Sequence, residues 1–158
     1  MNSIRPATPA DLPEIHAMIA SLADYEHLAH LCTGTQDALA DALFGAQPAA
    51  EVLIASADGE VAGFALFFPT YSTFLARRGL WLEDLFVKPA MRGRGVGRAL
   101  LTALAGIARD RGCGRFEWAV LDWNASAIRF YEELGATLMQ EWRLARVSGD
   151  ALAAMADR

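Results

Sequence analysis

The run Arg92-Gly93-Arg94-Gly95-Val96-Gly97-Arg98 sets three glycines at every second position among three arginines. Glycine lets the backbone approach a ligand closely and take dihedrals that a side chain forbids. If Gly97 and Arg98 open a helix, the unpaired N–H groups of its first turn face an anion. In a chain of formal net charge -5, such a cluster of guanidinium groups points to a localised anion, for which a phosphate is the simplest choice. Taken alone, the loop reads equally well as a structural turn. It is neither a Walker A loop, which needs Gly-Lys-Ser/Thr, nor the dinucleotide fingerprint, whose third glycine falls three positions after the second.

Other residues carry titratable chemistry. Glu83 and Asp84 interrupt an apolar run, where two carboxylates mark either a solvated strand end or a functional cleft. As neighbours on a strand they are expected on opposite faces, so that only one of them meets a given substrate. Tyr131 has a hydroxyl that is protonated at neutral pH, with an intrinsic pKa of about 10; by spacing alone it is a core aromatic, three positions from both Ile128 and Leu134. Tyr25 and Glu26 close a helical pattern and read as a solvated helix end. His27, His30 and Cys32 lie close together, but nothing else has ligand spacing, and no metal site is expected.

The elements that must position these groups follow from periodicity. A strand at 4–7 precedes a helix with Ile15, Met18, Ile19 and Leu22 on one face, and a second helix spans 35–44 and stops at Gly45. Strands at 52–55 and 61–68 flank an Asp58-Gly59 hairpin turn, and 80–87 is a third strong strand ended by Pro89. Then come a helix at 96–111, with Val96, Leu100, Leu104 and Ile107 on one face, a strand at 116–121 and a helix at 124–134 between Asn124 and Gly135. Two short strands, 138–140 and 142–147, are expected to close the sheet, and the tail from Asp150 is a short helix or frayed. The result is a single mixed α/β domain over residues 1–158, large enough to bury a core without disulfides or metal. Two cysteines, no signal peptide and no apolar run of spanning length lead to the expectation of a reduced, cytoplasmic protein. The acidic balance argues against nucleic-acid or membrane partners and suits a cationic substrate.

Strand, Arg-x-x-Gly-x-Gly and helix, followed by Asn124 and Tyr131, form an order that resembles the GNAT superfamily of acetyl-CoA-dependent N-acyltransferases, and the resemblance covers nearly the whole chain. Ile4-Arg5-Pro6-Ala7-Thr8-Pro9-Ala10-Asp11, Leu82-Glu83-Asp84-Leu85-Phe86-Val87, Asp122-Trp123-Asn124, Phe130-Tyr131 and Glu141-Trp142-Arg143-Leu144 look like its diamine acetyltransferase branch, which includes the spermidine/spermine and thialysine enzymes. The resemblance implies the GNAT fold, a mixed and mostly antiparallel central sheet flanked by helices. It also implies acetyl-CoA as co-substrate, a small primary amine as acceptor, direct transfer in a ternary complex and a homodimer to which the C-terminal strands contribute. Carried over to this sequence, Leu85, Phe86 and Val87 line the pantetheine arm, and Arg92, Gly93, Arg94, Gly95, Val96, Gly97 and Arg98 hold the pyrophosphate, with Asn124 beside the coenzyme. Tyr131 is the general acid and Glu83 the base. Asp84, Tyr25, Glu26 and Trp142 line the amine pocket, and the Leu85 N–H is the candidate for polarising the thioester carbonyl.

Two departures narrow this transfer. Polyamine enzymes carry an acidic residue where this chain has Ser72, after Thr70-Tyr71, which favours a shorter lysine-like or thialysine-like amine over spermidine. Glu132 and Glu133 stand where relatives often carry basic residues, so a phosphate contact from that helix is lost. The competing functions are a protein or peptide acetyltransferase and a non-catalytic acyl-CoA-sensing module, against which Glu83 and Tyr131 speak.

Overall fold

The computed structural model describes residues 1–157 and divides them between two compact units, the first Met1–Ala119 and the second starting at Val120. The first unit is a five-stranded sheet in sequence order: β1 (Asn2–Pro6), β2 (Glu51–Ala57), β3 (Glu60–Ser72), β4 (Arg77–Val87) and β5 (Arg115–Trp118). Neighbours are antiparallel until β4 and β5, which run parallel because α3 (Val96–Asp110) carries the chain back between them. The Asp58-Gly59 turn forms as the sequence indicates, with both residues at positive φ.

Alternation along the strands sends side chains to two cores. Val52, Ile54, Phe64 and Leu66 pack with Ile15 and Met18 of α1 (Leu12–Tyr25) and Leu43 of α2 (Gln36–Phe44). The intervening Leu53, Ala55, Ala65 and Phe67 are equally buried and point the other way, toward α3, whose Leu100 and Leu104 are fully buried. The guanidinium of Arg111, the residue capping α3, lies 5.9 Å from the Phe67 ring centroid on that face. Asp11, at the start of α1, accepts two bonds from Arg5 at 2.7 and 2.8 Å and fixes β1 to the helix entry.

In the second unit, α4 (Ala125–Glu133) begins where Asn124 Oδ1 accepts the Ala127 N–H at 3.3 Å, and it ends before Gly135, at φ 93°. The tail forms α5 (Gly149–Ala156). The strands expected at 138–140 and 142–147 are absent: these residues carry no helix or strand, and Met139, Trp142, Leu144 and Val147 are exposed. Alternating apolar residues make a strand only when an edge is there to pair with, a condition not written in the segment itself. The strand expected at 116–121 likewise stops at Trp118.

Candidate active site

The central irregularity lies in β4. Leu66 pairs with Asp84 and the next residue, Phe67, pairs with Leu82, so Glu83 is an extra residue in β4 and forms a β-bulge. The bulge reverses which face each parity serves. Before it, Leu82 is buried on the α3 side opposite Phe67; after it, Phe86 is buried in the α1 core. Asp84, opposite Leu66, therefore faces α1. Glu83 turns the same way: its Oε2 accepts a 2.7 Å bond from Trp81 Nε1, and Trp81 stands opposite Phe68, which packs against the α1 core. The expectation that Glu83 and Asp84 occupy opposite faces is thus corrected, because one inserted residue puts both carboxylates on one side of the sheet.

Glu26, the residue capping α1, adds a third carboxylate there. Burial, then the charge of Glu83, then that of Glu26 push the Asp84 carboxyl up to about 6, and burial raises Glu26 as well. A partly buried acidic cluster of this kind costs free energy that an incoming ammonium group offsets.

Parallel pairing of β4 with β5 ends at Leu82 and Trp118, immediately before the bulge. Residues 83–87 consequently keep β3 as a neighbour but no strand on the other side among the described residues. This open edge carries Leu85, Phe86 and Val87, of which Phe86 is buried. An extended amide-bearing ligand can add to such an edge as a strand does. The Val87 carbonyl already accepts Arg92 Nε at 3.1 Å.

The edge leads through one 3-10 turn, Pro89–Met91, into the glycine loop. Gly93 and Gly95 have φ of 73° and 76°, in the left-handed region that glycine enters without strain. Gly95 caps α3 with no side-chain bond to the helix end, so the N–H groups of Val96 and Gly97 in its first turn can face a ligand. The arginines are less free than their sequence suggests. Arg92 stacks 5.1 Å from the Tyr25 ring centroid, and Arg94 pairs with Asp58 of the hairpin turn and bonds Met91 Sδ, while the Arg94 carbonyl accepts from Asn2 Nδ2. What this loop offers an anion is therefore its backbone rather than free guanidinium groups of Arg92 and Arg94.

The first unit thus brings together the end of α1 with Tyr25 and Glu26, the bulge with Glu83 and Asp84, the open edge and the glycine loop. Asn124, Tyr131 and Trp142 belong to the second unit: Asn124 caps α4, Tyr131 is half-buried on it with its ring centroid 5.5 Å from that of Phe130, and Trp142 is 76% exposed. No group of His, Cys, Asp or Glu suited to a metal occurs among the described residues. Trp81 and Asp58 escaped the sequence reading. Trp81, two positions before Glu83 on one strand, was open to detection from strand alternation; Asp58 meets Arg94 across 36 residues and had no local signal.

The profile described as "Acetyltransferase (GNAT) family" matches residues 17–136. An L-ornithine N5-acetyltransferase of Arabidopsis thaliana is 39% identical over 96% of this chain and 86% of its own. A thialysine N-epsilon-acetyltransferase of Mus musculus is 37% identical over 98% and 97%. Among solved structures, an integron cassette protein from the mobile metagenome of V. cholerae aligns over 99% of this chain and 98% of its own, with a TM-score of 0.83 and 25% identity. The GNAT family uses acetyl-CoA as co-substrate. With a profile covering most of the chain and named acetyltransferases matched nearly end to end, this protein is an acetyltransferase of the GNAT family, on the branch that holds the ornithine and thialysine enzymes.

Proposed function

We propose that the protein transfers the acetyl group of acetyl-CoA to a primary amine of a small lysine-like, thialysine-like or ornithine-like amino acid or short diamine, directly and within a ternary complex. The observation that carries this reading is the bulge, which sets Glu83 and Asp84 on one face beside Glu26 and next to the open edge of β4. Three carboxylates attract a cationic amine, and the relatives named for ornithine and thialysine support a short one.

Bound acetyl-CoA supplies an activated thioester. An alkylamine with a pKa of about 10.4 arrives protonated and cannot attack, so a base is needed. In this reading Glu83, oriented by the Trp81 indole, takes that proton directly or through water, and Asp84 and Glu26 hold the ammonium until it is lost. The Leu85 N–H polarises the thioester carbonyl as the nitrogen attacks the acetyl carbon. Tyr131 gives its proton to the departing thiolate and recovers one from the acylated nitrogen, which sheds its second proton as the amide forms; Glu83 passes the first proton to solvent, so that amide, free thiol and a regenerated enzyme result. The first-turn N–H groups of α3 and the glycine loop hold the pyrophosphate, with Asn124 beside the coenzyme and Tyr25 and Trp142 at the amine pocket.

The reading includes a single N-acetyltransferase domain over residues 1–158, a homodimer and a cytoplasmic location. No helix among the described residues is long and apolar enough to cross a membrane. Light scattering of the purified protein tests the dimer. A coenzyme A release assay across lysine, thialysine, ornithine, short diamines, spermidine and a lysine peptide tests the substrate. Turnover of the short amines is expected, and activity on the peptide alone would overturn the assignment. Tyr131→Phe is expected to lower kcat about tenfold or more; equal turnover across pH removes Tyr131 from the acid role.

A further inference from the structure

Five of the chain's 14 basic side chains, Arg77, Arg78, Arg109, Arg111 and Arg115, gather at the opposite end of β4 from the bulge. Two of them have ordinary explanations. Arg109 and Arg111 stand at the C-terminal end of α3, where a cation suits the helix dipole, and each has a carboxylate: Arg109 bonds Asp110 at 2.9 Å and Arg111 bonds Glu51 bidentately at 2.7 and 2.8 Å. Arg77, Arg78 and Arg115 have no acidic partner among the described residues. They are brought close by the sheet, since Arg115 pairs with Gly79 and the Gly114 N–H donates to the Arg78 carbonyl at 2.8 Å.

These arginines line two cavities. One, of about 340 Å³, is bounded by Arg78, Arg111, Cys113, Gly79 and an apolar floor of Pro69 and Leu80. The other includes Arg77, Arg109 and Arg115 and shares the Cys113 wall. We propose that this end of the sheet is a second binding site, separate from the acetyl-transfer site, for a small oxyanion-bearing molecule such as a phosphorylated or polycarboxylate metabolite. Arg78 is the primary contact and Arg111 is a guanidinium held by Glu51, while Arg77 and Arg115 line the neighbouring cavity across the Cys113 wall. The planar forks of arginine suit phosphate and carboxylate oxygens, and the concave site with its apolar floor suits a small molecule better than an extended acidic surface.

The test is calorimetric titration of inorganic phosphate and, separately, citrate into protein saturated with coenzyme A, so that the glycine loop is already filled. Saturable binding of at least one anion is expected; phosphate alone identifies a phosphate ligand and citrate alone a carboxylate one. Arg78→Gln is expected to weaken it about tenfold, the loss of one charge-assisted contact, with Arg94→Gln leaving it unchanged. Alkylation of Cys113, followed by mass spectrometry of its peptide, is expected to slow when the bound anion is present. The proposal fails if neither anion saturates, if Arg78→Gln binds as the parent does, or if Arg94→Gln abolishes the binding.

Discussion

At the scale of residues, the proposed function turns on how three carboxylates are held. Glu83 is fixed by Trp81, whereas Asp84 is crowded and partly buried, and the two substitutions should separate by what they change. Glu83→Gln is expected to lower kcat about a hundredfold at neutral pH with a smaller effect on the amine KM. Trp81→Phe leaves the carboxylate but frees its orientation, so steady-state kinetics should show a kcat loss of about tenfold, near the lower end of the worth of one bond to a charged group. For Asp84 the sign follows from proton count. With the native carboxyl raised to about 6, the folded protein keeps a proton that the unfolded chain has released, so stability falls as pH rises from about 4 to about 6 and stays reduced above. Asp84→Asn should gain about 1–2 kcal/mol at pH 7, read from urea midpoints, and nothing at pH 4. The same variant should raise the amine KM, and in the parent that KM should climb as pH drops through about 6 and Asp84 loses its charge.

Among the elements, β4 and α3 carry the site because each is interrupted at one place. The bulge at Glu83 ends pairing with β5 and opens the edge; Gly95 starts α3 in a left-handed conformation without a side-chain cap. Gly95→Ala is expected to weaken coenzyme A binding in calorimetry while costing about 1 kcal/mol of stability, since alanine at φ 76° is strained and its methyl group enters the loop. The run 80–87 was legible as a strand, and the glycine loop as the start of a helix, from local pattern. The bulge was not, because an inserted residue is defined only against the partner strand, and β3 lies more than a dozen residues away from Glu83 at the pairing point. That is also why Glu83 and Asp84 were expected to point apart.

For the whole molecule, the sequence order β-α-α-β-β-β-α-β-α read off periodicity matches the chain closely up to Trp118, and it fails beyond Gly135. Long-range polar contacts tie the first unit together, notably Arg5 with Asp11. That guanidinium, with help from Thr8, holds the Asp11 carboxyl well below the usual carboxylate range. A depressed pKa stabilises the fold above the unfolded value near 4 and loses that contribution as pH falls. Asp11→Asn should therefore cost about 2 kcal/mol at pH 7 and flatten the onset of acid unfolding followed by circular dichroism. The sequence by itself determined the fold class, the helices and strands of the first unit, and the glycine loop and residue types on which the proposed site rests, because periodicity, glycine spacing and side-chain chemistry are local properties. Only the tertiary structure decided which carboxylates share a face, which edge of β4 stays open, that Asp58 and Tyr25 occupy the loop arginines, and that the apolar residues after Gly135 find no strand to pair with. Each of these depends on what a distant segment brings alongside, and no local pattern encodes that.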